Sequence, residues 1–107
     1  SQKAGLKAVK PNIDCKKIDD VCRKIINESG YGKYFIHSTG HGIGLDVHEL
    51  PTIGPRSSTK LERNMAITVE PGVYIPKKFG VRIEDSLIVT QKNSILLHKF
   101  TKDLCIV

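Results

Sequence analysis

Three histidines and two glutamates concentrate the reactive groups of this 107-residue chain: His37, His41 and His48, then Glu70 and Glu84. Glu70 closes the run Ala66-Ile67-Thr68-Val69, and Glu84 stands between Val81-Arg82-Ile83 and Leu87-Ile88-Val89. Carboxylates set among residues that favour burial need a paired charge or a cation. Side chains alternate along a strand, so Thr68 and Glu70 are expected on one face and Ile67 and Val69 on the other. By the same rule Arg82 and Glu84 share a face opposite Val81 and Ile83. Two neighbouring strands would then aim both glutamates into one cavity beside His41. One imidazole with carboxylates is a hard, oxygen-rich donor set. It suits manganese, with cobalt, zinc or iron as alternatives, rather than a thiolate-type structural zinc site. It amounts to half of a metal centre.

His41 lies within Gly40-His41-Gly42-Ile43-Gly44. Glycines permit positive φ and let the backbone pass close to a ligand or a neighbouring strand, so His41 is expected on a tight, shaped loop. His37 and His41 have helical spacing, but Ser38-Thr39-Gly40 between them and the glycines that follow predict a loop or a strand end. No helix pattern follows Gly44, so the Gly-x-Gly spacing does not indicate a nucleotide site.

Taken in order, the glycine-rich His41 motif, His48-Glu49, Val69-Glu70-Pro71-Gly72 and Arg82-Ile83-Glu84 resemble the pita-bread metallopeptidases (family M24), which comprise methionine aminopeptidases, aminopeptidase P and prolidase. The resemblance covers residues 37–90. It implies that His41, Glu70 and Glu84 are ligands of a centre with two divalent metal ions. His37, four residues before His41, together with Tyr74 and Arg82, looks like the proline-directed branch. That branch implies a peptide substrate with proline at the second position, cleaved by an Xaa-Pro dipeptidase or an aminopeptidase P. His37 and His48 would contact the substrate and stabilise the tetrahedral intermediate. Glu70 would serve as general base as well as ligand, and Tyr74 and Arg82 would support the site, Arg82 by fixing the Glu84 carboxylate. The alternatives are a fragment of a methionine aminopeptidase, a group that lacks a histidine at the position of His37, and a metal-free pita-bread binding module.

The family's centre also uses two aspartates from an earlier strand, about eleven residues apart. Residues 1–36 hold only Asp14, Asp19 and Asp20, all within a helical pattern, and none matches that pair. The chain is therefore expected to be the carboxyl-terminal half of a catalytic domain, truncated on its N-terminal side. Its metal site would be incomplete and the isolated chain inactive.

The elements that must position these groups begin with a helical run that ends at Pro11. A second helix is predicted over 12–29, with Asp14 as its cap and Gly30 past its end. Ile18, Val21, Cys22, Ile25 and Ile26 form its apolar face, and Lys16, Lys17, Asp20, Arg23, Lys24 and Asn27 its solvated one. Strands are predicted at 34–36, 45–48, 65–70, 73–75, 81–90 and 94–98. Residues 51–64 read as a polar loop and 91–93 as a hairpin turn. The fold class is α+β, helices packed on an antiparallel sheet. His98 and Glu49 are read as structural, Glu49 pointing away from the side of His48.

Composition is that of a globular chain: 39% hydrophobic, 26% charged, net charge +6. The lysines are scattered and no aromatic residues interleave with them, so nucleic acid is not an expected partner. No apolar run approaches the length of a membrane helix, so no membrane partner is expected either. Cys15, Cys22 and Cys105 are odd in number and lack a CxxC spacing, which favours reduced thiols and a cytoplasmic setting. A homo-oligomer is the expectation for the full-length parent.

Overall fold

The structure, a computed structural model, describes residues 1–106. Two helices, α1 (Gln2–Ala8) and α2 (Cys15–Glu28), are followed by seven strands: β1 (Gly40–Gly42), β2 (Glu49–Ile53), β3 (Ala66–Val69), β4 (Gly72–Ile75), β5 (Phe79–Arg82), β6 (Asp85–Val89) and β7 (Ser94–Leu96). Five of the strands form one antiparallel sheet in the order β2-β1-β3-β6-β7, and β4 and β5 form a separate hairpin. The architecture is α+β, as the alternation of patterns predicts.

Period-two placement of apolar residues in the sheet meets period-3.6 burial in α2. Ile67 and Val69 of β3 and Leu87 and Val89 of β6 are buried in one cluster with Cys15, Ile18, Cys22 and Ile26 of α2. These positions alternate along each strand and recur three or four apart along the helix, so each element turns one apolar face inward. Helix α1 lies against α2 and β3 through Gly5, where a Cβ would stand 2.5 Å from the Cys22 Sγ and 2.9 Å from Val69. Ser1 occupies the N-cap of α1 and Asp14 that of α2, and neither side chain makes a capping hydrogen bond. Asp14 instead pairs with the Lys17 ammonium at 3.3 Å.

Several expected elements differ. Residues 34–36 are not a strand: Gly32–Tyr34 is a single 3-10 turn that hands the chain from α2 to the sheet. Residues 45–48 form a bend with Leu45 and Val47 exposed, because Asp46 N–H is taken by the Glu49 carboxylate at 3.0 Å rather than by a neighbouring strand. The strand lies one step later, at β2, inside the stretch read as loop. Pro51 hides it from a propensity reading, yet proline is tolerated there because β2 is an edge strand. The apolar run 81–90 is broken at Ile83 and Glu84 into β5 and β6, which belong to different sheets. On α2, Val21 is exposed and Asp19 is fully buried. The hairpin at 91–93 forms as expected, with Thr90 N–H donating to the Asn93 carbonyl at 2.8 Å.

All three cysteines are free, Cys15 and Cys22 buried and Cys105 exposed. Burial pushes the Cys15 and Cys22 thiols above their ordinary value of 9.0. An acid whose value is raised by folding keeps its proton in the native state while the unfolded chain loses it. The resulting stabilisation is complete below pH 9 and is lost as pH rises through the raised values. Urea midpoints are therefore expected to fall as pH is taken above 9, with a shallower fall in Cys22→Ala; identical slopes for the two proteins would contradict this.

Candidate active site

The site is assembled where β1, β3 and the β4–β5 hairpin meet. β1 is wedged between β2 and β3, and its pairing with β2 shifts between His41 and Gly42: His41 faces Thr52, whereas Gly42 faces Glu49. Such a bulge bends a strand and re-aims its side chains. The flanking glycines are required by close approach rather than by φ. A Cβ at Gly40 would collide with the Thr68 carbonyl, and one at Gly42 with the Leu50 carbonyl. Among the described residues the positive-φ glycine is Gly30, outside this loop.

Held in this way, His41 turns its ring toward β3. Its Nδ1 lies 2.8 Å from the Gly42 carbonyl, an oxygen that only accepts, so Nδ1 carries a proton. Nε2 lies 3.0 Å from the Glu70 Oε1. Two electron pairs do not face each other at that distance unless a proton or a cation lies between them, which makes this pair an apt place for a cation. Glu70, at the end of β3, is buried and anchored on both sides: its N–H donates to the Thr39 carbonyl at 2.7 Å and its Oε1 accepts from the Thr68 hydroxyl at 2.7 Å. Thr68 Oγ1 also accepts the His41 N–H at 3.0 Å. Thr68 and Glu70 thus share a face, as strand alternation predicts, and one hydroxyl ties the imidazole strand to the carboxylate strand.

Glu84 is placed differently from expectation. It lies beyond the end of β5 rather than on a strand with Arg82, and its side chain is 41% exposed. Arg82 spans the gap, with Nε 3.7 Å from both Glu70 Oε2 and Glu84 Oε2. Among the described residues no three histidine, cysteine or acidic side chains gather closely enough to hold a metal ion. His41, Glu70 and Glu84 are one imidazole and two carboxylates, donors whose chemistry suits a divalent cation, but the three do not converge on one point. The Arg82 guanidinium is held above its ordinary range first by the nearby Tyr74 hydroxyl, then by the charges of Glu70 and Glu84.

His37 and His48 line one cleft of about 580 Å³ with His41, Glu49, Glu70 and Arg82, whereas Tyr74 and Glu84 are not part of its lining. The His48 ring packs on that of His41 with centroids 4.3 Å apart. His37 Nδ1 lies 2.7 Å from the Ser38 carbonyl, which places the proton there and leaves Nε2 to accept from the Tyr74 hydroxyl at 3.0 Å. The Glu49 carboxylate caps the 44–48 bend by accepting the Asp46 N–H. His98 lies far along the chain near Asp85 and the C-terminal residues. Arg23, expected in solvent, reaches the loop that carries His37, and Thr39 and Thr68 were not expected in the site at all. The i,i+4 spacing of Asp19 and Arg23 and the shared face of Thr68 and Glu70 are the signals that could have shown them.

Residues 1–91 match metallopeptidase family M24. The chain belongs to this family. An Xaa-Pro dipeptidase from Pyrococcus furiosus is 48% identical over 104 residues, covering 97% of this chain and 30% of that protein. The structure of an Xaa-Pro dipeptidase from Bacillus anthracis superposes with a TM-score of 0.96 at 49% identity, over 99% of this chain and 30% of the other. An X-Pro aminopeptidase from Thermotoga maritima gives 0.94 at 42% identity, again over 99% and 30%. The M24 chain thus spans about 30% of the length of the relatives it matches and carries part of the pita-bread fold. Membership in a metallopeptidase family implies the use of divalent metal.

Replacing Thr68 by Val leaves the His41 N–H and the Glu70 carboxylate each short of a partner at unchanged volume. A buried polar group left unsatisfied costs about 1–3 kcal/mol. Urea unfolding of Thr68→Val is expected to show a loss in that range, and equal stability would mean that the hydroxyl bridge is not formed.

Proposed function

We propose that the full-length protein carrying this chain hydrolyses peptides with proline at the second position, using two divalent metal ions, manganese first, held in part by His41, Glu70 and Glu84. The observation that supports this most is that His37, His41, His48, Glu70 and Arg82 line one cleft, with Tyr74 hydrogen-bonded to His37 from outside its lining. The names of relatives at 48% and 42% identity, an Xaa-Pro dipeptidase and an X-Pro aminopeptidase, support the same substrate class. Three donors are too few for two cations, so further ligands come from beyond this chain, and the chain alone is inactive. Free buried thiols accord with a cytoplasmic setting.

Bound divalent ions supply a water whose pKa is lowered toward about 7 and a Lewis acid for the scissile carbonyl. The chain's own residues do the rest. The Gly42 carbonyl fixes the His41 tautomer, so that Nε2 presents an electron pair to the centre. Glu70 accepts the proton of the attacking water on the carboxylate that Thr68 and the Thr39 carbonyl hold in place. His48, exposed at the mouth of the cleft against His41, donates to the developing oxyanion. His37 and Tyr74 form the wall against which the substrate's proline end is oriented, and Arg82 keeps the two carboxylates apart and neutralised.

His37→Ala in the full-length protein is expected to lower kcat/KM on an Xaa-Pro dipeptide about 100-fold, the scale of a misplaced substrate. An unchanged value would remove the proline-directed assignment. Chelation should abolish hydrolysis and manganese restore it; turnover by protein shown by elemental analysis to be metal-free would overturn the metal assignment.

A further inference from the structure

Asp19 has no solvent-exposed surface, although its sequence neighbour Asp20 lies in water. Its carboxylate accepts Arg23 Nε at 2.8 Å and Nη2 at 3.0 Å, and on its Oδ1 the Thr39 N–H at 3.1 Å and hydroxyl at 2.8 Å. The guanidinium then spends its other donors on the loop before β1: Nη1 on the Phe35 carbonyl at 3.0 Å and Nη2 on the His37 carbonyl at 2.9 Å. It also lies over the Phe35 ring, 4.1 Å from the centroid, and that ring meets His37 edge-on at 5.2 Å.

We propose that Arg23, locked by Asp19, is a positioning residue that sets the orientation of the His37 imidazole from behind. This deepens the proposed function and rests on the part it gives to His37. Arg23 grips His37 by two routes, its carbonyl and the Phe35 ring that meets the imidazole edge-on, and does not line the cleft that holds His41 and Glu70. Only a planar fork with five donors can serve Asp19 and both carbonyls at once; a lysine would keep the charge and lose the span. A guanidinium is needed here for its shape, in a helix position that otherwise reads as solvated.

The test is Arg23→Lys in the full-length protein, alone and combined with His37→Ala. If Arg23 acts through His37, the two effects are not additive. Arg23→Lys alone is expected to lower kcat/KM on an Xaa-Pro dipeptide about 10- to 100-fold, the scale of an ångström-sized misplacement. In the His37→Ala background the further loss should be less than about twofold. Equal losses in both backgrounds would show a general structural role and overturn the proposal. A second readout is the imidazole Cε1–H resonance of His37, which should move in Arg23→Lys while that of His98 stays in place. No movement would overturn the proposal even if activity fell. If His37→Ala alone leaves hydrolysis intact, the functional reading of His37 fails, and the resonance still decides whether Arg23 orients the ring.

Discussion

A carboxylate taken wholly out of water must be met by donors from the protein, and the side chain of Asp19 is met from two directions. Arg23 comes from its own helix, and Thr39 from the loop that leads into β1. The same Thr39 passes its carbonyl to the Glu70 N–H. One buried charge on a helix thereby fixes where β1 begins, and through it where β3 ends. Removing either partner would leave an uncompensated charge inside the molecule, so the register of the loop is enforced by an electrostatic requirement rather than by apolar packing alone.

From that anchor the site follows by close approach. The strand carrying His41 is squeezed between the Thr68 carbonyl on one side and the Leu50 carbonyl on the other, and only residues without a Cβ fit there. The bulge at His41 re-aims the ring, the Gly42 carbonyl chooses its tautomer, and the Thr68 hydroxyl sets both the strand and the opposing carboxylate. Each contact is local, and each depends on the backbone having been brought to that place by the helix.

Much of this was legible in the sequence. Alternation of Ile67 and Val69 against Thr68 and Glu70 gave the two faces of β3, and the α2 pattern of Ile18, Cys22 and Ile26 gave the helix face that covers the sheet. What escaped depends on pairing across distance. Pro51 masks β2 because propensity does not reveal that a strand is at an edge. Arg23 was read as solvated because a helical wheel cannot show a loop returning to it. Counting residues puts Glu84 on one strand with Arg82, whereas β5 ends at Arg82; the two side chains still approach to 3.7 Å. Of the two reasons for Gly40 and Gly42, close approach to a neighbouring strand holds, and positive φ does not.

The change of sheet after Arg82 divides the cleft between two kinds of wall. His41, Thr68 and Glu70 stand on or at the end of strands knitted into a five-stranded ladder, whereas Tyr74 and Arg82 stand on a two-stranded ribbon with its own separate hydrogen bonds. An isolated ribbon has little stability of its own, so its pose is dictated by what its side chains grasp. The floor of the site is masonry and its flank a separate panel, pressed to the core by Val73 and latched by a phenol to one imidazole and by a guanidinium to two carboxylates.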